Sequence, residues 1–109
     1  MSYNVKSIEV FEKQAKRLIK KYASLKYELL ALIQELKENP QKGMPIGKGC
    51  YKIRISIGSK GKGKSGGARI VTNLVIANQS VYLLTIFDKS EKDNISDQEL
   101  EEILKYLPE

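Results

Sequence analysis

The 109-residue sequence has no histidine, no tryptophan, a single cysteine and only three prolines. Without histidine there is no serine–histidine triad, and a histidine–cysteine metal site has only Cys50 to draw on. Cys50 cannot form an internal disulfide, so a reducing, cytoplasmic setting is expected. No apolar run approaches the ~20 residues that span a bilayer. The start, "MSYNVKSIEV", carries no apolar core of a signal peptide. No membrane partner is therefore expected. A chain of this length can bury one modest core, and one domain over 1–109 is the default.

Acid is also missing from one long stretch. Residues 39–87 hold eight cations (Lys42, Lys48, Lys52, Arg54, Lys60, Lys62, Lys64, Arg69) and no Asp or Glu. The last 22 residues, 88–109, hold eight acids and three lysines, while the formal net charge of the whole chain is +6. A basic stretch so free of counter-charge reads as a surface that meets an anion.

The apolar residues that are present keep two periods. "YNVKSIEV" reads as a first strand. Phe11, Ala15, Leu18, Ile19 and Tyr22 then fall on one helical face. Leu25, Leu29, Leu32, Ile33 and Leu36 do the same in a second helix, with Ser24 as its cap and Asn39-Pro40 as its stop. "QKGMPIGKG" reads as a turn-rich connector. "YKIRISI" alternates, with Ile53, Ile55 and Ile57 on one face and Lys52, Arg54 and Ser56 on the other. "ARIVTNLVIA" and "VYLLTIF" are nearly continuous apolar runs, as central strands covered on both faces require. Ser96 and Glu99 have the spacing of a capping box ahead of Leu100, Ile103, Leu104 and Leu107. The expectation is α+β: an N-terminal helix hairpin packed on a three- to four-stranded antiparallel sheet, with a C-terminal helix.

One stretch, "GSKGKGKS" (58–65), matches the phosphate-binding pattern G-x-x-x-x-G-K-[ST] letter for letter. That motif works through the N-terminus of a following helix. Here two glycines and the β-branched run "ARIVT" follow instead, which predicts a strand. Asp88, at the end of the last apolar run, would then have no nucleotide-bound magnesium to hold. No nucleotide cofactor is expected. A glycine-rich loop presenting Lys60, Lys62 and Lys64 suits a polyanionic backbone better, with a binding contribution that weakens as salt rises.

"YKIRISIGSKGKGKSGGARIVT" followed by "VYLLTIFDKSEKDNIS" resembles the RelE/HigB toxins of bacterial type II toxin–antitoxin systems. The helix hairpin "FEKQAKRLIKKY" upstream is similar as well, so the resemblance spans the chain as one RelE-like domain. It implies a ribosome-dependent endoribonuclease that cuts messenger RNA by 2′-hydroxyl attack with no metal or cofactor. It also implies three partners: a cognate antitoxin, the 70S ribosome and mRNA.

Carried onto this sequence, the resemblance makes Lys52, Arg54, Arg69 and Lys92 the catalytic candidates. Lys60, Lys62, Lys64 and Lys89 become candidates for gripping RNA. Ser90 stands where some members have a catalytic arginine, and Asn94, Ile95 and Ser96 occupy the place of a C-terminal tyrosine. Lys52 is the candidate base, since neighbouring cations favour the neutral form of an amine. Arg54 and Arg69 would hold the phosphate oxygens, and Lys92 would protonate the leaving group. Two other functions fit the same fold: a toxin that poisons DNA gyrase by protein contact, and a non-catalytic RNA-binding module. Only Tyr51, Tyr82 and Phe87 lie in or near the sheet as stacking aromatics for the latter.

Overall fold

The computed structural model describes residues 2–61 and 66–108. Its elements run β1 (Asn4–Ser7), α1 (Glu9–Lys21), α2 (Leu25–Glu38), β2 (Met44–Gly47), β3 (Cys50–Ile55), β4 (Ala68–Val75), β5 (Ser80–Asp88) and α3 (Asp97–Leu104). The strands form one sheet in the order β1-β5-β4-β3-β2. The two apolar runs thus take the interior positions: all of β5 and the first six residues of β4 are buried.

The α+β class and the helix hairpin agree with the sequence, but the sheet has five strands and is mixed. The expected connector contains β2, whose Met44, Pro45 and Gly47 pair with Lys52, Tyr51 and Cys50. Proline and glycine hide a strand in the sequence, yet an outermost strand tolerates proline because its N–H side can face away from the ladder. The first strand is only Asn4–Ser7, and it pairs parallel to β5. Helix α1 starts at Glu9, two residues before Phe11, and Glu9 and Glu12 in its first turn suit the helix dipole.

The apolar stripes fall where the 3.6-residue period puts them. Phe11, Ala15 and Leu18 of α1 and Leu25, Leu29, Leu32 and Leu36 of α2 are buried. Ser24, the expected cap of α2, has helical backbone angles, and its side chain caps nothing. Its hydroxyl instead bonds Ser59 Oγ (2.9 Å) and Glu28 (3.2 Å), while the Gly58 N–H donates to Glu28 Oε2 at 2.6 Å. The start of α2 therefore clamps the turn that follows β3. The Ser96–Glu99 capping box is formed in full, and it starts α3 with Leu100 buried beneath it. No helix among the described residues is long and apolar enough to cross a membrane.

Asp88 ties these parts together. Its side chain is fully buried and accepts from Tyr22 Oη (2.6 Å), Lys60 Nζ (2.5 Å), and the hydroxyl (2.6 Å) and N–H (2.9 Å) of Ser90. Lys60 is itself only 8% exposed and lies 5.5 Å from the centre of the Tyr22 ring. One carboxylate thus joins the end of α1, the turn after β3 and the end of β5. Burial alone would raise its pKa, but donors from Lys60, Ser90 and Tyr22 overcome this and hold it well below the usual carboxylate range.

Removing one partner of a buried, hydrogen-bonded ion pair costs about 3–5 kcal/mol. Asp88→Asn should lose roughly that much in a denaturant titration at neutral pH. Because the folded-state pKa lies below the unfolded value of about 3.9, this contribution is complete above pH ~4 and fades as pH falls further. Wild-type stability should therefore drop on acidification below pH ~4, and that of Asp88→Asn should drop less.

Candidate functional site

The β3–β4 register places Arg54 directly opposite Arg69 and Lys52 opposite Val71. Lys52 and Arg54 are two residues apart on one strand, hence on the same face. The β4–β5 register then sets Phe87 beside Arg69 and Thr85 beside Val71. Arg54, Arg69 and Phe87 form one row across the sheet, with Met44, Lys52, Val71 and Thr85 in the next. Lys52, Arg54 and Arg69, drawn together from the sequence alone, do share one face. Directly opposite side chains have Cβ atoms about 4.5–5.5 Å apart, within reach of a single phosphate group.

Their surroundings differ. Arg54 is exposed and has no hydrogen-bond or ion-pair partner among the described residues. Arg69 is only 4% exposed, and its Nη1–H donates to the Ala68 carbonyl at 3.1 Å. Burial and then the Arg54 guanidinium lower its pKa, while Asp93 opposes them. Lys52 is half-buried and donates to Asn94 Oδ1 at 3.2 Å. Lys92 lies over the Phe87 ring, 5.8 Å from its centre, and pairs with Glu99. Lys89 pairs with Asp93 at 2.6 Å. The segment after β5 therefore folds over the end of the arginine row and brings Lys92 to it.

Other cations of the acid-free stretch are paired with acids from elsewhere in the chain. Lys60, expected at a loop tip, turns inward and pairs with Asp88, whose buried carboxylate needs a partner. Lys42 pairs with Glu35 at 2.9 Å and Lys48 with Glu101 at 2.6 Å, so α2 and α3 supply acids that the local sequence lacks. Lys62 and Lys64 lie outside the described residues. Gly58–Lys60 is a short 3-10 turn, and beyond residues 62–65 the chain enters β4 rather than a helix, against the nucleotide-binding pattern. No group of three or more His, Cys, Asp or Glu among the described residues is placed to hold a metal.

A sequence model of the family described as "RelE toxin of RelE / RelB toxin-antitoxin system" matches residues 8–107. The chain belongs to the RelE toxin family. Its fold is similar to that of the isolated RelE toxin of E. coli, at 18% identity over 97% of this chain and all of that one, with a TM-score of 0.62. A mutant of the E. coli toxin bound to a peptide of its antitoxin RelB covers 99% of this chain at 18% identity (100% of its own, TM-score 0.63). The RelBE2 toxin–antitoxin complex of Mycobacterium tuberculosis covers 81% of this chain at 14% identity (99% of its own, TM-score 0.61). At these identities the structures establish a shared RelE fold.

Sequence reasoning missed one residue that shapes the site and one that braces the opposite side of the sheet. Asn94 reads in the sequence only as the absence of a tyrosine, yet its Oδ1 accepts a hydrogen bond from Lys52 Nζ. Asp88 carries a signal: a carboxylate that ends a nearly apolar strand must find donors or cations when buried.

Like charges directly opposite on neighbouring strands destabilise a sheet by roughly 0.2–1 kcal/mol. Arg54→Gln should therefore leave the fold equally stable or up to about 1 kcal/mol more stable. Thermal melting at low salt checks this, and a clear loss of stability would mean that Arg54 supports the fold rather than the site.

Proposed function

We propose that this RelE-family toxin is a ribosome-dependent endoribonuclease that cuts messenger RNA without a metal or cofactor. The observation that carries the reading is the shared face of Lys52, Arg54 and Arg69, with Lys92 folded over the end of the same row. The 2′-hydroxyl of one nucleotide attacks the adjacent phosphorus. The P–O2′ bond forms as the P–O5′ bond breaks, leaving a cyclic 2′,3′-phosphate and a free 5′-hydroxyl.

Lys52 accepts the proton of the attacking hydroxyl, with one of its own N–H groups on Asn94 fixing the direction of the nitrogen. Arg54 and Arg69 hold the non-bridging oxygens as negative charge grows there, and the sheet keeps them in place before substrate arrives. Lys92 gives a proton to the departing 5′-oxygen. Lys89 adds a cation for the RNA backbone, and Lys62 and Lys64 act as further backbone contacts. The 70S ribosome supplies the message in an extended, single-stranded form. A cognate antitoxin silences the chain in the cytoplasm, as the antitoxin-bound neighbours suggest, and its acidic groups cover the arginine row.

The test is to induce the chain in cells and map message 5′ ends. Wild type should cut inside translated codons. Arg54→Ala, chosen because Arg54 is exposed and its loss spares the core, should lower cutting by about 100-fold or more. Arg69→Ala should do the same, with Arg69→Lys distinguishing lost charge from lost packing at that buried site. Supercoiling defects with intact messages would show gyrase poisoning instead. RNA binding without cuts would show a non-catalytic module.

A further inference from the structure

Beside the cationic face, at the outer edge of the sheet, lies an open cleft of about 280 Å³ lined by Lys42, Gly43, Met44, Lys52, Ile53 and Arg54. Its volume sits just below the usual range for small-molecule sites, so it suits one planar group better than a whole nucleotide. Met44 is directly opposite Lys52 in the β2–β3 register and is 55% exposed. A lone exposed apolar side chain is ordinary on a protein surface. This one, however, lines a cleft together with three cations, Lys42, Lys52 and Arg54.

The backbone is built tightly there. Gly43 has φ +107°, and a Cβ on it would stand 2.6 Å from the Lys52 carbonyl oxygen, so only glycine lets the chain turn so close to β3. The wall of the cleft is thereby fixed against the strand that carries Lys52 and Arg54.

Resting on the endoribonuclease reading, we infer that this cleft seats the nucleobase next to the scissile phosphate, with Met44 as its apolar platform. The arginine row binds a backbone common to every sequence and cannot choose among messages. A flat, polarizable thioether contact on a base face can, because the strength of that contact varies from base to base. Met44 lies one strand spacing from Lys52, so a base resting on it leaves its own phosphate above Lys52 and Arg54. The site thus divides its work: cations hold the linkage and Met44 selects the base beside it.

The experiment compares cut-site distributions from end mapping in cells for wild type, Met44→Ala, Met44→Gln and Met44→Leu, with folding checked by thermal melting. Met44→Ala and Met44→Gln should weaken the base preference at one position flanking the cut by roughly three- to tenfold. Met44→Leu, which keeps an apolar platform, should retain most of it. An unchanged distribution in Met44→Ala and Met44→Gln while cutting continues overturns the base subsite and leaves the nuclease reading standing. Loss of all cutting by both folded variants also overturns it, because a base subsite governs which linkages are cut. No cutting by wild type overturns the nuclease reading and the subsite with it.

Discussion

Arg54 and Arg69 face each other across two antiparallel strands, and nothing in their own chemistry would bring them there. The ladder between β3 and β4 holds them in place. The same ladder pairs Ile53 with Ile70, and Ile70 with Ile86 of β5, and all three isoleucines are buried. Alternation along each strand puts the isoleucines on one face and the cations on the other. The core thus offsets the electrostatic cost of the site, estimated at no more than about 1 kcal/mol for one opposed pair. Register is the constraint on which everything else rests, because a slip of one residue would turn both arginines onto the face that now holds the isoleucines and the isoleucines off it.

The end of β5 shows the same alternation serving two purposes. Phe87 lies in the arginine row under Lys92, while the next residue, Asp88, points to the opposite side, where Tyr22 and Lys60 meet it. Lys60 and Arg54 belong to one acid-free stretch of sequence, yet one is buried against a carboxylate and the other faces solvent. The difference lies in what each can reach. Two residues on from Asp88, Ser90 is also engaged, since its hydroxyl donates to Asp88 and accepts from Lys60 at 3.0 Å. Ser90 is thus the exposed end of the network that surrounds Asp88.

Local periodicity explains why so much of the fold was legible. The stripes of α1 and α2, the alternation through Ile53, the two apolar strands and the Ser96–Glu99 box each depend on residues within a few positions of one another. What could not be read depends on distant partners. Strand β2 exists only because Met44, Pro45 and Gly47 find β3, and β1 is fixed only by its parallel pairing with the distant β5. Lys52, Arg54 and Arg69 were legible through strand alternation together with the family pattern. The fate of Lys60 was not, because the Asp88 that captures it is 28 residues away.

The segment after β5 carries this further. Family resemblance suggests that catalytic groups belong there, but here Ser90 serves Asp88 and Asn94 serves Lys52. This segment brings Lys92 to the end of the arginine row, and the Glu99 that pairs with it also completes the cap of α3. On the proposed reading, this shifts the chemistry onto the strands. Proton acceptance and phosphate binding come from β3 and β4, whose geometry the core enforces, while the C-terminal segment supplies Lys92 as the proton donor and Asn94 as the group that orients Lys52. A site built this way gains precision from the sheet, because side chains on paired strands are held more tightly than those on a connecting loop.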